Sequence, residues 1–202
     1  MKILITGING FVGKYLKDAL IAKGHDVYGI DIESKASNIF AADICNYNNL
    51  VDLLKSIKPD IVYHLAAISQ VPSEDISILY NVNFKGTLNI LKACVILKTK
   101  PKFIFISSSQ VYGNVPNYMQ PINEDVPLNP VNHYGVSKAS GEMLVKTFHA
   151  EHNLDYIIFR PFNHTGPGQN DFFIIPKIVK AFKDSKNSIS LGNIYVERDF
   201  LD

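Results

Sequence analysis

The sequence predicts an α/β protein built on a doubly wound parallel sheet with helices on both faces. Three observations predict it. Short β-branched runs alternate with helix-like stretches from the first residue onward, a glycine cluster follows the first run, and Tyr134-Gly135-Val136-Ser137-Lys138 opens a long helix-like segment after a proline-marked loop. With 202 residues, 47% of them hydrophobic, and a net charge of +1, the chain has enough apolar material for one sizeable core. That balance offers no basic face to nucleic acid and no polybasic segment to a membrane, so a small molecule is the default partner.

Lys2 to Thr6 reads as the first strand. It reaches Gly7 too soon for a signal peptide, and no later apolar run approaches the ~20 residues of a membrane span, so a cytoplasmic protein is expected. Cys45 and Cys94 lack metal-ligand or redox spacing and are expected as buried, reduced side chains, with no disulfide and no metal site. Gly7-Ile8-Asn9-Gly10-Phe11-Val12-Gly13 then leads into a helix-like Lys14 to Lys23. A strand, a glycine-rich turn and a helix in that order hold a pyrophosphate at a helix N-terminus, where N–H groups and the dipole favour negative charge. The spacing is G-x-x-G-x-x-G, not the G-x-G-x-x-G of the older dinucleotide fingerprint; its position after the first strand strengthens it.

Asp26 to Ile30 reads as the second strand and ends in Asp31, whose carboxylate can accept ribose hydroxyls and repels a 2′-phosphate, which favours NAD over NADP. Lys35 keeps NADP open. Asp43-Ile44 closes another short apolar segment, where Asp43 either contacts an adenine amino group or is a plain loop residue. Tyr47 to Ile57 reads as an amphipathic helix stopped by Pro59. In Asp60-Ile61-Val62-Tyr63-His64-Leu65-Ala66-Ala67, an apolar strand runs into small residues that leave room for a ligand at the sheet edge, with His64 read as a satisfied core histidine. A helix from about Asp75 to Thr99 carries Asn81, Asn83 and Gly86 in mid-course, where they weaken it and so point to tight packing or site contact.

Lys102 to Ile106 is the fourth expected strand, followed by Ser107-Ser108-Ser109-Gln110-Val111-Tyr112-Gly113. A hydroxyl there is positioned to donate to a substrate carbonyl. After Pro116, Pro121, Pro127 and Pro130, the i,i+4 spacing of Tyr134 and Lys138 stacks phenol and ammonium on one helix face, so that the cation favours the phenolate. The helix runs to about His152, and Asp155 to Arg160 gives the fifth strand. This is a Rossmann-type order, with residues 1–160 expected as the dinucleotide-binding domain and 161–202 as the start of a substrate-binding region.

Together, the glycine cluster, Asp31, His64-Leu65-Ala66-Ala67, Ser108 and Tyr134-x-x-x-Lys138 resemble the extended short-chain dehydrogenase/reductases, the NAD-dependent epimerase/dehydratase family that acts on nucleotide sugars. The resemblance implies Ser108, Tyr134 and Lys138 as the catalytic set: Tyr134 moves the proton of the sugar C4 hydroxyl, Ser108 holds that oxygen, and Lys138 binds the nicotinamide ribose and lowers the phenol pKa. It also implies cofactor contacts from Gly7, Asn9, Gly10, Phe11, Val12, Gly13, Asp31, Asp43, Ile44, Leu65, Ala66, Ala67 and Asn83, and a homodimer through the helices around Leu79 to Leu97 and Ser137 to Phe148. Arg160-Pro161-Phe162-Asn163 looks most like the branch of GDP-mannose 4,6-dehydratase and GDP-4-keto-6-deoxymannose reductase, in which Asn163 touches the substrate and Arg198 pairs with a phosphate.

Ser109 and Gln110 complete the substrate side. Gln110 stands where the dehydratases carry a glutamate, and an amide carries no proton, so redox at C4 is expected: a GDP-4-keto-6-deoxymannose reductase, or alternatively a UDP-hexose 4-epimerase, or a GDP-mannose 4,6-dehydratase-like enzyme with His164 as a substitute base. Family members continue well beyond the Arg198-Asp199-Phe200-Leu201-Asp202 segment. The expectation is therefore a fragment of a longer enzyme, or a shortened product with its substrate lobe truncated, which binds cofactor without efficient turnover.

Overall fold

The computed structural model describes all residues except 34–35, 70–74, 186–187, 193–194, 196 and 202. The chain forms two compact units, Met1–Arg160 and Pro161–Asp202. In the first, β1 (Lys2–Thr6), β2 (Asp26–Asp31), β3 (Ile39–Ala41), β4 (Ile61–His64), β5 (Lys102–Ile106) and β6 (Tyr156–Phe159) form one parallel sheet in the order β3-β2-β1-β4-β5-β6. The chain winds outward from β1 in one direction through β2 and β3, and in the other through β4, β5 and β6. The order therefore reverses between β1 and β4, and a crevice at the C-terminal ends of these strands is where ligands bind in open parallel sheets.

The period of the strands fixes which side chains face which helices. Leu4 pairs in register with Val62, and Val62 with Phe103, which puts all three in the layer covered by α2 (Tyr47–Ile57), α4 (Thr87–Val95) and α5 (His133–His152). Ile3 and Ile5 point the other way, with Val27 and Ile39, toward Leu16 and Leu20 of α1 (Phe11–Ala22). Helices thus cover both faces. The α1 face is less covered at its far edge, where Ile157 and Phe159 of β6 are 39% and 50% exposed.

Two elements differ from the sequence reading. The short apolar segment before Asp43 is a sixth strand, β3, held by three residues of pairing with β2. The helix expected from Asp75 to Thr99 is in three parts: α3 (Ser77–Tyr80), a π-helical segment at Asn81–Gly86, and α4, which ends at Val95. Gly86 explains part of this. A Cβ there would lie 2.4 Å from Ile44 Cδ1, so the wound segment presses directly on the residue beyond β3. π-Helical turns concentrate at functional sites. Cys94 is buried as expected, whereas Cys45 is partly exposed, its thiol donating to the Asn81 carbonyl at 3.4 Å; both are unpaired.

The second unit contains β7 (Asn163–His164), α6 (Ile174–Lys183) and β8 (Phe200–Leu201), with β7 and β8 paired in parallel. Among the described residues, no helix is long and apolar enough to cross a membrane.

Candidate active site

The glycine turn is shaped by close approach. Gly7 follows β1 with φ +73°, and a Cβ on it would stand 2.8 Å from the Ala66 nitrogen at the end of β4. On Gly13, a Cβ would come within 2.4 Å of the Gly7 carbonyl, so α1 starts directly against the turn. Gly10 is the N-cap of α1 and brings no side chain, and no acidic residue stands in the first turn, which includes Phe11, Val12 and Gly13. This leaves the positive end of the helix facing the turn, the arrangement that suits a phosphate. A dinucleotide pyrophosphate fits here: Gly7, Gly10 and Gly13 keep the approach open and the helix end supplies the field.

Asp31, at the end of β2, accepts from the Asn9 nitrogen at 2.8 Å and from the Ile32 nitrogen at 2.9 Å, which ties the turn to the strand whose tip would meet a ribose. Asn9 Nδ2 adds a bond to the Glu33 carbonyl at 2.9 Å. Two lone-pair sites of the Asp31 carboxylate are used, and the remainder can accept ribose hydroxyls. Lys35, which bears on NADP, lies outside the described residues. Asp43 is exposed and accepts from the Cys45 nitrogen at 2.8 Å, while Ile44 is buried against Gly86.

Leu65, Ala66 and Ala67 leave β4 beside Gly7; the Leu65 nitrogen donates to the Thr6 carbonyl and the Ala66 nitrogen to Thr6 Oγ1, each at 3.2 Å. Asn83, from the π-helical segment, is buried and committed to protein groups. Its Oδ1 accepts from the Ile68 nitrogen at 2.7 Å, and its Nδ2 donates to the Ile68 carbonyl at 2.9 Å and to Ser137 Oγ at 3.0 Å. It clamps the stretch after β4 to α5. His64 is also buried, between Thr6 Oγ1 at 2.7 Å and Thr87 Oγ1 at 2.9 Å, and burial together with the nearby Lys138 charge lowers its pKa to about 3.

The serine turn and α5 bring the candidate catalytic set together. Ser108 has extended backbone at the end of β5 and caps the 3₁₀ turn Ser109–Val111, its hydroxyl accepting from the Gln110 nitrogen at 3.2 Å. Asn132 is the N-cap of α5, accepting from the Gly135 nitrogen at 2.8 Å, and its Nδ2 donates to Gln110 Oε1 at 2.9 Å. Gly135 allows this approach, since a Cβ there would lie 2.6 Å from the Gln110 carbonyl. Tyr134 and Lys138 follow one turn apart. Lys138 is 4% exposed, donates to the Ile106 carbonyl at 2.8 Å, and sits 6.0 Å from the Tyr134 ring centre.

Burial lowers the Lys138 pKa to about 8. It raises that of Tyr134, against a lowering influence from the Ser108 hydroxyl. The expectation that Lys138 lowers the phenol pKa is therefore not met: the net shift is upward and Lys138 is not among its causes. Ser108 pulls the phenol down, and burial outweighs it.

A second cluster beside this set escaped the sequence reading. Glu142 lies one turn beyond Lys138 and is held by Arg160, Ser107 and, through Arg160, Tyr112. The continuing i,i+4 spacing Tyr134, Lys138, Glu142 was the signal that pointed to it. In the second unit, Asn163 Nδ2 donates to the Asp199 carbonyl at 2.9 Å, which places Asn163 beside the segment containing the exposed Arg198. Among the described residues, no group of three or more His, Cys, Asp or Glu side chains is arranged to hold a metal.

A sequence profile described as "NAD dependent epimerase/dehydratase family" matches residues 3–202. GDP-6-deoxy-D-talose 4-dehydrogenase of Aggregatibacter actinomycetemcomitans is 36% identical over all of this chain and 66% of its own length. GDP-6-deoxy-D-mannose reductase of Pseudomonas aeruginosa is 35% identical with the same coverage. This chain therefore spans about two thirds of the length of these relatives. Among solved structures, UDP-glucose 4-epimerase of Thermotoga maritima matches with a TM-score of 0.91 at 27% identity, covering 100% of this chain and 69% of that one. UDP-glucuronic acid 4-epimerase of Bacillus cereus, in complex with UDP-glucuronic acid and NAD, matches with a TM-score of 0.87 at 33% identity over 99% of this chain and 68% of that one. With its sheet order, its glycine turn and this match along nearly the whole sequence, the chain belongs to the NAD-dependent epimerase/dehydratase family.

Proposed function

We propose that the protein is an NAD(P)-dependent nucleotide-sugar oxidoreductase acting at sugar C4, with GDP-4-dehydro-6-deoxy-D-mannose as the substrate of its reductase activity. The observation that carries this reading is the convergence of Ser108, the group that favours the Tyr134 phenolate, with Tyr134 and the buried Lys138 one helical turn further on, at the C-terminal sheet edge that also carries the glycine turn. The nicotinamide, when bound, supplies or accepts the hydride. Ser108 donates to the C4 oxygen and polarises it, and Tyr134 moves the proton on that oxygen. Lys138 holds the ribose with the ammonium protons left after its bond to Ile106. Acid/base assistance of this kind is worth roughly 10²–10⁴ in rate.

Gln110 supports redox without dehydration. Its amide accepts from Asn132 and serves to join the serine turn to the α5 cap, and it has no proton to exchange at a sugar carbon. Asp31 favours NAD. Ser109 and Gln110 would line the sugar from the serine turn. Within the second unit, Asn163 and Arg198 are the residues proposed to bind a phosphate, which a guanidinium fork suits. A cytoplasmic homodimer fits the same reading: Ile78, Phe84 and Met143, on or beside the helices expected to pair, are 48%, 37% and 61% exposed.

The structural similarity to UDP-sugar 4-epimerases favours a second reading, a UDP-hexose 4-epimerase. Incubation with each sugar nucleotide and NADH or NADPH separates the two. A reductase consumes the reduced cofactor in proportion to a 4-keto sugar nucleotide. An epimerase interconverts UDP-hexoses with no net absorbance change, and cofactor binding with no turnover of either substrate class overturns both.

A further inference from the structure

Glu142 is fully buried, a position that a carboxylate tolerates only when its charge is paired and its oxygens are hydrogen-bonded. Both conditions are met. Arg160 donates to it from Nε at 2.9 Å and from Nη2 at 2.7 Å, and the Ser107 hydroxyl donates to Oε1 at 2.6 Å. The guanidinium is fixed on its other side by the Tyr112 hydroxyl at 2.9 Å and the Glu124 carbonyl at 3.1 Å, and lies 5.1 Å from the Tyr112 ring centre. An apolar set of similar volume is often as stable as such a network, so stability alone does not account for it.

The elements it joins do. Glu142 follows Lys138 by four residues and Tyr134 by eight, which puts all three on one face of α5. Ser107 immediately precedes Ser108, and in extended backbone neighbouring side chains point to opposite sides, so Ser107 can be gripped while Ser108 faces the phenol. The Ser107 nitrogen also donates to the Phe159 carbonyl at 2.7 Å, which leaves its hydroxyl as the tether from β5 to the helix.

We propose that Glu142, clamped by Arg160, is a positioning residue which acts through Ser107 to set the Ser108 hydroxyl against the Tyr134 phenol. The proposal rests on the reading of Ser108 and Tyr134 as the proton-handling pair and adds the groups that hold them in place. Tyr134 itself reports the arrangement. Ser108 is the group that favours its phenolate, so displacement of Ser108 raises the phenol titration.

The test is a titration of the Tyr134 ring in the full chain by NMR with ring-labelled tyrosine, assigned by Tyr134→Phe, alongside steady-state kinetics. Ser107→Ala is expected to move the Tyr134 titration upward, toward that of Ser108→Ala. It is also expected to lower kcat about tenfold with KM unchanged, as misplacement of a reacting group does. Ser107→Thr keeps the hydroxyl and restores both. Should Ser107→Ala fail to fold, Glu142→Gln keeps the shape, weakens the clamp and shifts the titration the same way. A folded Ser107→Ala or Glu142→Gln chain that loses stability while its Tyr134 titration and kcat match the parent overturns the proposal. The titration needs no substrate. If it moves while no sugar nucleotide turns over, the functional reading falls and the positioning role stands; turnover with an unmoved titration has the opposite meaning.

Discussion

Lys138 holds its ammonium 6.0 Å from the centre of the Tyr134 ring while donating to the Ile106 carbonyl at 2.8 Å, a cation kept beside a phenol by the backbone of the neighbouring strand. Burial makes that cation unfavourable and lowers its pKa to about 8 from the ordinary 10.5. Below pH 8 the folded and unfolded states both carry the proton, and the burial penalty is present in full. Between pH 8 and 10.5 the unfolded chain binds more protons than the folded one, so this group makes stability rise with pH.

Lys138→Met should therefore flatten that rise, and at neutral pH it should leave stability equal or higher. Activity should fall by roughly 10²-fold or more. Urea unfolding across the pH series and turnover at neutral pH check the two parts separately.

His64 gives the opposite end of the pH scale. Thr87 donates its single hydroxyl proton to the Asn83 carbonyl at 2.6 Å, so it accepts from His64 Nε2–H, and Nδ1 accepts from Thr6. The ring is thereby the neutral Nε2–H tautomer, detectable by its ¹⁵N shifts. Its folded pKa of about 3 lies below the ordinary 6.5, so its contribution is present in full above pH 6.5 and is lost as pH falls toward 3. The slope approaches about 1.4 kcal/mol per pH unit within that window. His64→Gln should remove it, as acid unfolding curves would reveal.

Gly13→Ala tests the cofactor cradle. The new methyl would lie 2.4 Å from the Gly7 carbonyl and 2.7 Å from that of Ile8, so the turn must open. NADH affinity, read by fluorescence, should fall by roughly tenfold or more, in line with about 1.4 kcal/mol for each factor of ten. Unchanged affinity would mean that the dinucleotide does not approach here.

Asn83→Ala should destabilise the chain by about 2–4 kcal/mol, because it strands the Ile68 amide and carbonyl and removes the donor to the Ser137 hydroxyl, which keeps its bond to the Tyr134 carbonyl. Thermal unfolding measures this. If Asn83 also contacts the cofactor, the loss in NAD affinity at low temperature will exceed what the fraction unfolded explains.

Local pattern carried much of the fold. The helix Tyr47–Ile57 has in the structure the bounds that its apolar spacing and Pro59 suggest, and the strands from Lys2, Asp26, Ile61, Lys102 and Tyr156 follow their β-branched and aromatic runs. The strand Ile39–Ala41 is too short to announce itself and exists through its pairing with β2. Asn81, Asn83 and Gly86 signalled a weak helix, but the groups this segment packs and bonds against, Ile44 and Ser137, are far away in the sequence. In the site, the Tyr134 and Lys138 spacing was visible. Arg160 was visible only as part of a motif, because its partner stands eighteen residues earlier on another element. Which group tunes the phenol was likewise hidden, since it depends on burial.

The Glu142–Arg160 ion pair has one more consequence. If α5 were seated one turn along its axis, its apolar side chains would still find hydrocarbon, but the carboxylate would lose its guanidinium and stand alone in the interior, an error of about 3–5 kcal/mol. Greasy contacts forgive such a slip; a lone buried charge does not. The pair therefore singles out one seat for the helix among those its apolar side chains would accept.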